Sequence, residues 1–212
     1  MSLCPGCGLQ RPSLGLEGDR RANASGECRA LMNELSYYTL AHGDSAFIHQ
    51  HVVDAYGAQH IRPLPSTIGA AFALAGLYLA VERALTGRQV QTMHILMART
   101  SKQWPRFDPP NTVGPLTVGD VVAAEAGPPR DEAIMRWCAG VWRPGQRNKT
   151  VSGRWSTAFS RSSGRFRGTV QQHPVHAQVA SRLGELLEVD RLDDVTVDPE
   201  AVGLDQVALF VG

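Results

Sequence analysis

The chain has no charge bias, few cysteines and no long unbroken apolar run. Its 212 residues carry 21 Lys and Arg against 20 Asp and Glu, a net charge of +1, so the molecule as a whole has no electrostatic pull toward nucleic acid or an anionic membrane. The longest apolar run, Ile68 to Val81, is interrupted by Gly69 and Gly76 and bounded by Arg62 and Glu82. It falls short of the ~20 residues that cross a bilayer and reads as a buried helix. No charged-then-apolar leader precedes Cys4, so we expect no signal peptide and a cytoplasmic location. In that compartment a CxxC pair signals metal or redox chemistry more often than a structural disulfide. No internal repeat is present, and no strand–helix–strand pattern surrounds the CxxC, which argues against a thioredoxin-like redox pair.

What is present starts at the N-terminus. Cys4-Pro5-Gly6-Cys7-Gly8 is a CPxCG turn of the kind that makes half a zinc knuckle, with Gly8 free to adopt the positive φ that turns backbone amides toward the thiolates. A hydrophobic content of 43% and a charged content of 19% describe a globular chain long enough for one sizeable core. Glu27 to Leu40 reads as a first helix, capped by Asn23 or Ser25, with Leu31, Leu35 and Tyr38 at core spacing. Ser45 to His60, SAFIHQHVVDAYGAQH, reads as a second helix that turns polar chemistry inward through three histidines, an aspartate, a tyrosine and a glutamine. Ser66 to Thr86, stopped by Gly87, gives a third; Val90 to Lys102 gives a fourth with Met93, Leu96 and Met97 inward. Thr117 to Glu125 and Asp131 to Trp142 complete six helical segments with short connections, and Cys138 shares an inward face with Ile134, Trp137 and Val141. The expected fold is an all-α bundle with an N-terminal zinc-knuckle-like turn.

The short His42-Gly43-Asp44 turn makes the first two helices antiparallel. Cys28 lies about fourteen residues before that turn and His60 about sixteen after it, so at about 1.5 Å per residue the two come level. His49 stays near the turn, roughly 16 Å along the helix from His60, and the two cannot share one ion. The expected ligand set is therefore Cys4, Cys7, Cys28 and His60. Closed Cys3His coordination leaves no open position, so the metal, expected to be Zn2+, would stabilise and not react.

The composition changes at Arg143. From there to Gln172 stand seven Arg and Lys residues without one Asp or Glu and with hardly any aliphatic side chain, a stretch with no core of its own. Helical spacing returns over His176 to Val189, and two short β-like runs, Val195 to Val197 and Val207 to Val211, follow. We divide the chain into a helical metal-binding domain, residues 1–142, and an irregular C-terminal tail, residues 143–212.

The chain resembles an uncharacterised bacterial family, a domain of unknown function, whose members open with CPxCG and later carry H-x3-VDAY-x2-QH. Here the second motif stands as His49-Gln50-His51-Val52-Val53-Asp54-Ala55-Tyr56-Gly57-Ala58-Gln59-His60; Cys28, the Pro109-Pro110 to Gly114 loop and Thr117-Val118-Gly119-Asp120-Val121 also match. The resemblance covers roughly Cys4 to Trp142 and implies no known activity. Two departures stand out. Ile61-Arg62 intervene before Pro63, and Arg143-Pro144-Gly145-Gln146 stands where similar proteins read Glu-Ala-Trp-Ser. If Arg-Pro-Gly-Gln is encoded as AGG-CCT-GGT-CA with G before it, reading one base earlier gives codons for that quartet, so we expect the tail to be a frameshifted translation.

Three functions compete at this stage. The first is a zinc-binding helical protein with a structural metal. The second is a metal-dependent hydrolase or transferase using His49, Asp54 and Tyr56 near the turn; against it, Asp54 can simply bond to His51 at i, i+3. The third, a nucleic-acid-binding zinc module, rests on the Arg-rich stretch with Trp155, Phe159 and Phe166, which translation out of frame also explains. The binding partner is open, with no membrane expected and nucleic acid disfavoured.

Overall fold

The structure is a computed structural model that describes residues 1–19, 22–61, 67–100 and 113–146. Among the described residues six helices follow a short two-stranded ribbon: β1 (Ser2–Leu3), β2 (Gln10–Arg11), α1 (Gly26–Ala41), α2 (His49–Gln59), α3 (Thr67–Glu82), α4 (Gly87–Thr100), α5 (Val118–Ala123) and α6 (Pro128–Gln146). The expected all-α architecture is present; the ribbon is an addition to it. β1 and β2 pair antiparallel, Ser2 opposite Arg11 and Leu3 opposite Gln10, and so close the base of the CPxCG turn. Among the described residues, Met1–His94 and residues 113–146 fall in the first of two compact units, and residues 95–100 of α4 in the second. Nearly all of the described residues belong to the first.

α2 is the central element of that unit, packed against α1, α3 and α6. Its inner faces bury Val52, Ala55 and Ala58 together with four polar residues, His51, Asp54, Tyr56 and Gln59. α3 is built from small apolar residues: Ala70, Ala71, Ala73, Ala75, Leu77 and Leu79 are buried, and a Cβ at Gly57 of α2 would stand only 3.1 Å from that of Ala73. Small residues on both helices let the two backbones approach, which is why so alanine-rich a segment packs densely. Leu35, Ile134, Trp137, Cys138 and Trp142 complete the core, each large side chain contributing about 2–3 kcal/mol by leaving water. Cys138 sits on the inward face with Ile134, Trp137 and Val141.

Several expected boundaries move, each for a physical reason. α1 is capped by Ser25, whose hydroxyl accepts from the Cys28 amide at 3.2 Å; Asn23 instead donates its N–H to the His60 carbonyl at 3.1 Å. α2 starts at His49 and not at Ser45, because Phe47 takes φ +56 and the Asp44 carboxylate accepts from the Ile48 amide. Gly87 opens α4 instead of closing α3: α3 stops at Glu82, and a side chain at Gly87 would strike the Phe47 carbonyl. α6 runs from Pro128 to Gln146, past both ends of the expected Asp131–Trp142 helix. The Pro63/Pro65 break, the Ser66 cap, most of the 104–114 loop and the tail beyond Gln146 lie outside the described residues. No described helix is long and apolar enough to cross a membrane.

Candidate metal centre

The CPxCG turn is held by its own backbone. Cys4 donates its amide to the Leu9 carbonyl at 2.8 Å, Gly8 donates to the Cys4 carbonyl at 2.9 Å, and Gly8 has the positive φ (+75) that this close return requires. Gly6, at the tip, lies so near the Asn23 carbonyl and the His60 ring that a methyl there would overlap both. The ribbon is tied to α1 through Glu27, whose carboxylate accepts from the Ser2 hydroxyl at 2.6 Å and the Leu14 amide at 2.9 Å. The Ser2 hydroxyl, then the Leu14 amide, hold that carboxyl down at about 2.

Two further residues reach the turn from the open end of the α1–α2 hairpin. Cys28 occupies the first turn of α1, where the helix dipole favours a thiolate. His60 follows directly on α2 as its C-cap. Its Nδ1 and its backbone N–H both donate to the Tyr56 carbonyl, at 2.8 and 3.1 Å, which directs Nε2 at the sulfurs. The Tyr56 ring lies tilted against the imidazole, with centroids 4.1 Å apart. An outer carbonyl fixing the histidine tautomer is the usual second layer of a metal site.

The Sγ atoms of Cys4, Cys7 and Cys28 and the ligand nitrogen of His60 all lie within 4.8 Å of one another, and all four residues are buried. Cys7 Sγ and Cys28 Sγ are 3.8 Å apart, and Cys28 Sγ is 3.4 Å from His60 Nε2. Hydrogen bonds from Cys28 and then Cys7 drive the Cys4 thiol down against its burial, while Cys28, as the donor to Cys4, is driven up. Burial pulls His60 down, but Cys4 and Cys7 outweigh it and raise the imidazole to about 9. Three cysteine sulfurs and one imidazole nitrogen, all buried, are a donor set suited to a cation, and this centre can hold a metal ion.

His49, Asp54 and Tyr56 do not meet in one place. His49 sits at the turn end of the hairpin, its Nδ1 2.8 Å from Thr39 Oγ1 and its ring edge-on to Phe47. Asp54 is buried; its partner is Gln50, whose Nε2 donates to Oδ1 at 3.1 Å, and not the expected His51, whose Nδ1 is unpartnered. Tyr56 belongs to the sulfur end, and burial, then the charge of Cys28, push its hydroxyl up. Sequence reasoning did not single out the role of Gln59, the residue before His60. Its Nε2 donates to the Val113 and Leu116 carbonyls at 2.6 and 2.8 Å, and its Oε1 accepts from Trp137 Nε1 at 3.0 Å. Its place within the QH pair was the one signal available.

Fold and site together define a helical protein whose N-terminal turn meets a helix hairpin at a buried Cys3His cluster able to hold a metal ion. The chain belongs to DUF5946, a family of unknown function whose model matches residues 2–144. No curated protein and no solved structure matches it.

Proposed function

We propose that the chain is a zinc-binding helical protein in which Cys4, Cys7, Cys28 and His60 hold one structural ion. The single observation behind this reading is the size of the buried cluster. A tetrahedral zinc with bonds of about 2.3 Å to sulfur and 2.0 Å to nitrogen has S···S edges near 3.8 Å and S···N edges near 3.5 Å. The Cys7–Cys28 and Cys28–His60 separations are 3.8 and 3.4 Å, and the four ligand atoms all lie within 4.8 Å of one another, so a bound ion would draw the wider pairs in. Zn2+ would neutralise buried thiolates that otherwise repel one another and would clamp the ribbon to α1 and α2. With four protein ligands it supplies binding energy to folding and no open position to substrate.

Metal analysis of protein purified without chelators, followed by cobalt substitution, tests this. One equivalent of zinc, with thiolate-to-cobalt charge-transfer bands and strong d–d absorption, is the expected result. A protein that is metal-free yet fully folded, or a cobalt form with weak octahedral d–d bands, would overturn it.

The hydrolase or transferase reading has less support, because its candidates His49, Asp54 and Tyr56 face three different neighbourhoods. The nucleic-acid reading depends on residues outside the described ones. For the tail we propose the frameshift: the family match stops at residue 144, beside the Arg143–Gln146 departure. Sequencing the coding DNA decides it, and codons at 143–146 that cannot encode Glu-Ala-Trp-Ser in another frame would end the proposal.

A further inference from the structure

The sulfurs of Cys7 and Cys28 are in van der Waals contact, 3.8 Å apart, although one belongs to the knuckle and the other to the first turn of α1. A sulfur–sulfur bond of about 2.05 Å requires the two atoms to close by roughly 1.8 Å. Cys4 Sγ faces the Asn23 carbonyl instead, at 4.0 Å. The two touching sulfurs differ in access. Cys7 is 4% exposed and Cys28 0%. Gly8, next to Cys7, is exposed and has open space where a side chain would stand, and Pro5 at the other side of the knuckle tip is exposed as well. A small molecule thus reaches the residue beside Cys7, while Cys28 stays fully buried behind the first contact.

Cys28 is placed to answer whatever happens at Cys7. It lies in the first turn of α1, its amide donating to Ser25 Oγ at 3.2 Å, and His60 Nε2 is 3.4 Å from its sulfur. A helix N-terminus and an adjacent imidazole both favour the thiolate, the nucleophilic form of cysteine. The fourth cysteine is a built-in control. Cys138 is fully buried on α6, its Sγ donating to the His51 carbonyl at 3.5 Å, and it has no part in the cluster.

We propose that Cys7 and Cys28 are an oxidation site for hydroperoxides, Cys7 taking the oxygen and Cys28 resolving it as a disulfide, and that this bond opens the metal centre. The release of an ion rests on the zinc reading; the disulfide rests on the sulfur geometry. The Cys7 thiolate attacks one oxygen of hydrogen peroxide, the O–O bond breaks, and the departing hydroxide takes a proton to become water. The Cys28 thiolate then attacks the Cys7 sulfenic acid at sulfur, the S–S bond forms, the S–O bond breaks, and a second hydroxide leaves and is protonated. Two thiolates, one peroxide and two protons give one disulfide and two waters, the sulfurs losing the two electrons that the peroxide gains. Cys4 and His60 are left, half of a tetrahedral donor set, which is too few to keep a structural ion. The bond ties the knuckle to α1 in place of the ion, while His60, at the end of α2, is set free. Oxidation therefore exchanges one clamp for another and leaves the helices in place. The pair runs across the CPxCG turn and not within it, which separates it from a thioredoxin-like CxxC couple.

The probe is hydrogen peroxide, added to the full-length protein after its metal content has been measured, with a chromophoric zinc chelator present. Zinc should appear in step with the loss of two of the four free thiols. Peptide mapping after alkylation should find the Cys7 peptide joined to the Cys28 peptide, with the helical circular dichroism retained. A thiol reductant with added zinc should restore both thiols and the ion. Cys138→Ala should release zinc as the wild type does, with two of its three thiols lost. A map that joins Cys4 to Cys7, or that shows only sulfinic acids, overturns the proposal, as does a protein that keeps its zinc and all four thiols under excess peroxide. A protein that proves zinc-free before any peroxide is added overturns the zinc reading instead; the peptide map still decides the oxidation site, because the two sulfurs must form their disulfide with or without an ion.

Discussion

The two ends of the α1–α2 hairpin each place a histidine of α2 against a polar side chain of α1, with different results. At the open end His60 faces Cys28 and, across the knuckle, Cys4 and Cys7. At the turn end His49 faces the Thr39 hydroxyl, itself bonded to the Leu35 carbonyl. One imidazole meets three sulfurs and the other a hydroxyl already committed to the helix backbone. Helix register, and not residue type, decides which histidine reaches the sulfurs, because an antiparallel pair brings together residues equally distant from the turn.

The largest effects that would break this contrast come from exchanging the two histidines' fates. His60→Ala is expected to lose the metal and about 3 kcal/mol or more of stability, a fall of roughly 10 °C in melting temperature. If metal analysis finds the ion retained in that variant but stripped by His49→Ala, the assignment of the two ends is reversed.

Acid sharpens the comparison with a third histidine on the same helix. Burial, opposed by Asp44, depresses His51 from 6.5 to about 4. The unfolded chain then takes up the proton first, so the stability that neutral His51 permits is complete above pH 6.5 and is lost as pH falls toward 4. The loss reaches at most ~3 kcal/mol. Denaturant titrations at pH 7 and pH 4.5 should show a smaller loss for His51→Gln than for wild type; equal losses would mean that the imidazole does not titrate with folding.

Gly6→Ala is a finer probe, because its methyl would overlap the Asn23 carbonyl and the His60 ring without removing a ligand. Competition with a chromophoric chelator should report an affinity about tenfold lower. An unchanged affinity would show that the knuckle tip can withdraw from His60 freely. The smallest effect belongs to His49→Ala, which should cost about 1 kcal/mol for the lost Thr39 contact and keep the metal in full.

These regions differed in how far they could be read from the sequence. The sulfur cluster was legible because each part is local or fixed by counting: CPxCG is a turn in any context, and Cys28 and His60 are equally spaced from a short loop. The start of α2 was not, since it depends on Phe47 holding a left-handed conformation that bulky residues seldom adopt. Gly87 looked like a helix stop, yet it serves as the point where α4 passes the Phe47 carbonyl, a tertiary contact without local signature. His94 drew no notice in the sequence because it stands next to Met93 on an ordinary amphipathic helix. Only the packing of α4 beside α2 and α3 brings it to Gln50 and Phe72.

The Gln59 side chain reaches well beyond the Cys3His cluster. One peptide bond from His60, it holds the segment leading into α5 with its nitrogen and the Trp137 indole with its oxygen. That indole, on α6, is fully buried. Gln59 thus ties the peptide beside a candidate ligand to two loop carbonyls and to an indole on α6 through the two ends of one side chain.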